Sequence, residues 1–254
     1  MNINAILFDL FITLLKPHRL ISEGFIDATI QVLRRRKINF DEERIHRALT
    51  ESYVSGRKLK YDLGIEIHAL RWIADSCYKS GLRLDFSTLK EIQKGAHEII
   101  IKSTEIFNDV IPTLDALYKA GYKMGLVSNV SDDMLARVLL KEFKLSKYFS
   151  LVVTSADINI RKPDPRIFKY AAEHLEVPIS QSMYVGDSIR DDIYGAKRAG
   201  MVTVRIIRRG VKENIYYEGK IYEDYKEVLP DYTINSLTEL IDILNANKKQ
   251  DDLK

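Results

Sequence analysis

The feature that most constrains this chain is a strand parted from its sheet. Residues 4–10, Asn-Ala-Ile-Leu-Phe-Asp-Leu, read as a short buried strand ending in an acid. From Leu20 to about Thr104 the periodicity is then helical: Phe25, Ile26, Ile30 and Leu33 share one face, as do Leu70, Ile73 and Cys77. Breaks near Asn39, Gly56, Gly64 and Gly81 predict four or five helices. Strand–helix alternation resumes at Pro112, with strands expected at 123–128, 150–154, 183–187 and 202–206. Helices fall between them, over 113–120, near 132–142, near 165–175 and up to Ala199. Strands separated by single helices imply right-handed crossovers and a parallel sheet. The chain is therefore expected to be α/β, with a doubly wound, Rossmann-like parallel sheet core built from residues 1–16 and 106–254. Residues 17–105 are expected to form an inserted, all-helical second domain. Tyr216 to Glu227 reads as a surface excursion and Pro230–Ile234 as an edge strand. Leu237, Leu240, Ile241 and Leu244 mark a last amphipathic helix, with a charged, fraying tail from Asn245.

Composition narrows the function classes. With 46% apolar and 30% charged residues the chain is neither disordered nor low in complexity. No apolar run approaches the roughly 20 residues of a membrane helix. The opening Met1-Asn2-Ile3-Asn4 lacks a basic region, so no signal peptide is expected. The lone Cys77 forms no internal disulfide and no cysteine-built zinc site, which fits a reducing cytoplasm. A net charge of +3, from 39 basic and 36 acidic residues, gives no case for nucleic acid as a partner. The run Arg34-Arg35-Arg36-Lys37 reads as a solvated helix end, where cations complement the dipole.

In an open α/β sheet the strand C-termini converge on one crevice. Four expected strand ends carry chemistry here: Asp9; Ser128 with Asn129; Lys162 within Arg161-Lys162-Pro163-Asp164-Pro165; and Asp187 within Gly186-Asp187-Ser188-Ile189-Arg190-Asp191-Asp192. Each has a bland reading. Asp9 and Ser128 suit helix caps, Pro165 suits a first helical turn, and Asp191 and Asp192 suit the positive end of a helix dipole. Their joint occurrence points instead to a site holding both signs of charge.

Together these segments resemble the haloacid dehalogenase superfamily of hydrolases over nearly the whole chain. The matching motifs are Phe8-Asp9-Leu10-Phe11-Ile12-Thr13, Val127-Ser128-Asn129, Arg161-Lys162-Pro163-Asp164-Pro165 and Gly186 to Asp192, the last continued by Ile193 to Gly200. The helical insertion is similar to the family's first type of cap. The resemblance implies that Asp9 is a nucleophile forming a covalent aspartyl intermediate. It implies that Lys162 pairs with Asp9 and the incoming anion, and that Ser128 donates to a substrate oxygen. Mg²⁺ is implied on Asp9, Asp187, the backbone carbonyl of Phe11 and, through water, Asp192; hard oxygen ligands suit that ion.

Two positions pull apart. The family's phosphatases carry an aspartate two residues after the nucleophile, which protonates the leaving oxygen and then activates water. Phe11 stands there, and Ile12 follows where the family has glycine. Loss of a general acid–base costs about 10²–10⁴-fold. The family's 2-haloacid dehalogenases have an aromatic at this position, because halide leaves without a proton. Asp187 points the other way, since dehalogenases of the family work without metal. The expected function is a Mg²⁺-dependent phosphatase acting on a small phosphorylated metabolite with weakened acid–base chemistry. The alternatives are a metal-independent 2-haloacid dehalogenase and a non-catalytic member that binds a phosphorylated ligand or a protein. Arg19, Arg57 and Arg71 are candidates for a substrate-holding arginine, His18 for a hinge-borne site residue and Trp72 for helical core.

Overall fold

The computed structural model describes residues 2–210, 225 and 227–251, with side chains up to residue 246. The excursion expected from Tyr216 lies almost wholly outside these residues. A six-stranded sheet has the order β5-β4-β1-β6-β7-β8, every pair parallel. Its strands are β1 (Ala5–Phe8), β4 (Lys123–Ser128), β5 (Leu151–Thr154), β6 (Ser182–Gly186), β7 (Val202–Ile206) and β8 (Tyr232–Ile234). The doubly wound α/β sheet read from the alternation is thus the observed fold, and β8 lies on its edge.

β1 sits at the centre, with β4 on one side and β6 on the other, so strand order reverses there. A crevice opens beyond the strand C-termini at such a reversal. Alternation along β1 supplies both cores. Ile6 and Phe8 join a cluster with Val110 and Leu114 of α5 (Val110–Lys119), Leu135 and Leu139 of α6 (Asp133–Glu142) and Leu240 of α10 (Glu239–Asp251). Ala5 and Leu7 face Ile167 and Phe168 of α8 (Pro165–His174) and Ala196 of α9 (Gly195–Ala199). A short helix, α7 (Ser155–Ile158), follows β5. The α10 backbone stays helical to Asp251, beyond the fraying point expected at Asn245.

Between Pro17 and Thr104 lie four helices: α1 (Ile21–Arg35), α2 (Glu42–Leu63), α3 (Ala69–Lys79) and α4 (Phe86–Lys102). The chain enters and leaves them through an antiparallel ribbon of β2 (Leu15–Pro17) and β3 (Thr104–Ile106). Asp41 caps α2 by accepting from the Arg44 amide at 3.0 Å, and Gly64 ends it at φ 66°. Gly56 does not break α2. It lies mid-helix, where an added Cβ would come within 3.3 Å of Ile67, so the missing side chain lets the following loop pack close. The basic run ends α1 in ion pairs, Arg34 with Glu42 and both Arg35 and Arg36 with Glu91. Among the described residues no helix is long and apolar enough to cross a membrane.

Candidate active site

Asp9 is the residue after β1, and its amide donates to the Val185 carbonyl of β6 at 3.0 Å. This extends the ladder one step and fixes the aspartate at the centre of the crevice. Ser128, the last residue of β4, donates its hydroxyl to Asp9 Oδ1 at 2.9 Å. Lys162 Nζ donates to the same Oδ1 at 2.7 Å, to Asp192 Oδ1 at 2.6 Å and to the Tyr184 hydroxyl at 2.8 Å. Its three protons are therefore all used. Both donors to Asp9 take Oδ1, and Oδ2 is engaged by neither.

Asn129 holds the lysine's backbone rather than the carboxylate. Its Nδ2 donates to the Lys162 carbonyl and its Oδ1 accepts from the Lys162 amide, both at 2.9 Å. The two-point clamp ties the loop after β4 to the loop after β5. Beneath the ammonium, Tyr184 passes its own proton to the Val127 carbonyl at 2.8 Å. Tyr184 is fully buried in β6 and reads in sequence as one more core aromatic.

Asp187 follows β6 directly, and residues 189–194 form one wide turn, closed by the Ile193 amide donating to the Ser188 carbonyl at 3.1 Å. Such five-residue turns are common at functional sites. This one returns Asp192 over the strand end, where its Oδ2 accepts the Ser188 amide at 2.9 Å. Gly186 makes room for it: a Cβ there would stand 2.3 Å from the Asp192 Cγ. Ligand oxygens of Asp9, Asp187 and Asp192 consequently lie within 4.8 Å of one another.

Three carboxylates with one lysine is a strained electrostatic arrangement. Burial raises the Asp9 carboxyl to about 6, with Lys162 opposing the rise and Asp192 adding to it. Burial and the charges of Asp192 and Asp9 push Asp187 well above its ordinary value. Lys162 pays for burial too, yet Asp192 and Asp9 outweigh it and hold the ammonium above its usual range.

The loop after Asp9 folds back tightly, with the amides of Leu14 and Leu15 both donating to the Leu10 carbonyl at 2.9 Å. Phe11 bridges to Leu15 and lines the cleft. Ile12 sits at φ 63°, a region that costs a side-chain-bearing residue about 1–2 kcal/mol. The cleft, about 780 Å³, is walled on the other side by α1, α2 and α3, including Phe25, Arg47, Lys60 and Trp72. Of the three arginine candidates Arg57 lines it, whereas Arg19 pairs with Glu23 and Asp27, and Arg71 with Asp75. His18 pairs with Glu105 across the ribbon at 3.0 Å, outside the cleft. Trp72 donates its indole proton to the Leu49 carbonyl at 3.1 Å, joining α3 to α2.

The chain is similar to known proteins. Residues 6–206 match the profile of the family described as haloacid dehalogenase-like hydrolase. Glyceraldehyde 3-phosphate phosphatase of Methanopyrus kandleri is 32% identical over 251 residues, 97% of this chain and 99% of that one. The crystal structure of an HAD phosphatase from Thermococcus onnurineus superposes with a TM-score of 0.61 at 30% identity, over 96% of this chain and 98% of that one. A 2-haloacid dehalogenase from Pseudomonas syringae shares the fold, with a TM-score of 0.68 at 23% identity over 96% and 99% of the two chains.

Proposed function

Because the chain belongs to the haloacid dehalogenase-like hydrolases, we propose that it is a Mg²⁺-dependent phosphatase of small phosphorylated metabolites, with Asp9 as nucleophile. The observation that carries this reading is the convergence of Asp187 with Asp9 and Asp192. Three carboxylates facing one lysine, Asp9 and Asp192 buried and Asp187 partly so, repel one another and any anionic substrate, and a divalent cation removes both penalties. The donor set fits Mg²⁺, being hard oxygens only. Asp9, Asp187 and the Phe11 carbonyl would hold the ion, with Asp192 acting through water because Lys162 and Ser188 already occupy its oxygens. Bound there, the ion supplies Lewis-acid stabilisation of the phosphoryl oxygens.

The chain's own groups do the rest. Asp9, held at about 6, is largely ionised at neutral pH. Its Oδ2, which neither Lys162 nor Ser128 engages, attacks phosphorus as the ester oxygen leaves with the bonding electrons, and water then cleaves the aspartyl phosphate. Lys162 neutralises charge on the nucleophile, and Ser128 is placed to turn from Asp9 to a phosphoryl oxygen. Asn129 positions Lys162 through its backbone. Phe11 exchanges no proton, so leaving groups that need none are favoured. In this reading residues 17–105 form a cap that shields the reaction from water, and the β2–β3 ribbon is its hinge.

Phe11 favours a second reading, a 2-haloacid dehalogenase, in which halide departs unprotonated. The two separate in one assay: phosphate release from acyl, aryl and alkyl phosphates, and chloride release from 2-chloropropionate, each with Mg²⁺ and with EDTA. Mg²⁺-dependent phosphate release is expected. Metal-independent chloride release with no phosphate from any ester would overturn the phosphatase reading.

A further inference from the structure

We propose that the seam between the end of α2 and the loops after β4 and β5 is a second anion subsite of the cleft, where Lys60 and Arg161 take a carboxylate or phosphate carried by the substrate beside the phosphoryl group that is hydrolysed. The inference rests on the phosphatase reading for what occupies Asp9; the subsite itself rests on the charges described next.

Lys60 comes from the last turn of α2 with its side chain 13% exposed; Nζ donates to Ser131 Oγ at 2.5 Å and lies 3.5 Å from Glu66 Oε1. Arg161, 10% exposed, pairs with the same Glu66, whose side chain is fully covered. Beside them Arg190 pairs with Asp191 at 3.1 Å, donates to the Tyr61 carbonyl at 2.7 Å and lies over the Tyr61 ring. Three largely buried cations thus meet two carboxylates. Arg161 and Lys60 share Glu66, and Lys60, the more distant partner at 3.5 Å, is the surplus charge of this cluster.

That surplus faces the cleft. Lys60, Ser131 and Arg161 all line it, whereas Glu66 is shut behind them. An entering anion therefore meets the two cations first. The subsite also borders the chemistry, since Ser131 lies in the loop that begins with Asn129 directly after Ser128, and Arg161 precedes Lys162. Burial brings the Lys60 ammonium down to about 8, Glu66 opposing the fall and Arg161 adding to it. A buried cation with only a shared counter-ion gains most from a charge-assisted bond to a ligand anion.

The test is titration calorimetry with non-hydrolysable probes in Mg²⁺. Phosphonocarboxylates with two to four carbons between the acidic groups, and the matching bisphosphonates, are compared with alkylphosphonates of equal length. Binding about ten- to a hundredfold tighter for at least one two-anion series is expected, the winning series telling carboxylate from phosphate. Lys60→Met should erase the preference and Lys60→Arg restore part of it. Glu66→Gln should enlarge it by removing the competing carboxylate, which a purely structural cluster would not do. In the parent the preference should fade as pH rises past about 8, where Lys60 loses its proton. Equal binding of one- and two-anion probes, a preference that survives Lys60→Met, or no binding of either kind overturns the subsite. Failure of the phosphatase reading shows separately, as absent phosphate release while the binding preference persists.

Discussion

Replacing Lys162 by methionine tests the central charge arrangement, because the two side chains have similar length and only the ammonium is lost. In the parent, Nζ bonds Asp9 Oδ1 at 2.7 Å, Asp192 Oδ1 at 2.6 Å and the Tyr184 hydroxyl at 2.8 Å, from a side chain 2% exposed. Two charge-assisted bonds at about 1.5–3 kcal/mol each are removed, partly offset because the lysine no longer has to be desolvated. This agrees with the loss of about 3–5 kcal/mol seen when one partner of a buried ion pair is deleted. The penalty depends on pH in a fixed direction. Asp9 already titrates at about 6, above the ordinary 3.8, and without Lys162 it must rise further. A raised carboxyl contributes stability that is present at low pH and lost as pH climbs through the folded value. Urea unfolding in EDTA should show Lys162→Met far weaker than the parent at pH 8, the midpoint falling about 1–1.7 M for an m value of about 3 kcal/mol/M. The gap should narrow at pH 5, where the carboxylates take up protons, and narrow at pH 8 when Mg²⁺ is added. Equal midpoints at pH 8, or a gap that widens at pH 5, would refute the reasoning.

Asp9→Asn should abolish hydrolysis and, in EDTA, stabilise the protein above pH 6 by an amount on the order of 1–3 kcal/mol, because an ionised carboxylate no longer has to be buried. Urea midpoints across pH 4–8 check the sign: the variant's advantage should vanish near pH 4. Phe11→Asp should raise turnover of alkyl phosphates towards the roughly 10²–10⁴-fold range of general acid–base catalysis, with a much smaller effect on acyl phosphates. Paired kcat/KM values for the two ester types measure it. Gly186→Ala should destabilise by about 1–3 kcal/mol and depress activity, because its Cβ would meet Asp192 Cγ at 2.3 Å and displace the second partner of Lys162. Unchanged urea midpoints and rates would show that Asp192 has room to shift.

What the sequence made legible follows from length scale. The sheet could be read because apolar runs of four to six residues alternate with amphipathic helices, and the topology then brings Asp9, Ser128, Lys162 and Asp187 to one crevice. Features that depend on contacts across the chain were hidden. β2 and β3 are three residues each, one containing Pro17, too short and too irregular for a period-two pattern to register. Gly56 reads as a break by residue type, yet its role is to admit Ile67 beside a continuous helix. Tyr184 resembles any core aromatic until the lysine above it is placed. Glu66, an acid set between Ile65 and Ile67, is a buried charge that the helical segment contributes and that its flanking isoleucines could have flagged. Its partner Arg161 lies beyond three further strands, so sequence alone could not join them.

The way Lys162 is shared links the site's electrostatics to its chemistry. A lysine bonded to Asp9 alone would hold the carboxylate at lower energy and leave it a poorer nucleophile. Burial lifts the Asp9 carboxyl to about 6 against the pull of Lys162, and Asp192, which shares the same ammonium at 2.6 Å, adds to the rise. On the proposed reading the cost in stability falls on the nucleophile, which is where reactivity is needed. Ser128 and Lys162 both donate to Oδ1, which leaves Oδ2 engaged by neither. Gly186 is the condition for this arrangement, since a side chain there would push Asp192 off the lysine. The acid–base limb lacks such support: Phe11 offers no proton where the leaving oxygen would need one. On the proposed reading, an activated nucleophile with no acid beside it would select substrates by their leaving groups, and the cations at the seam would select them by what else they carry.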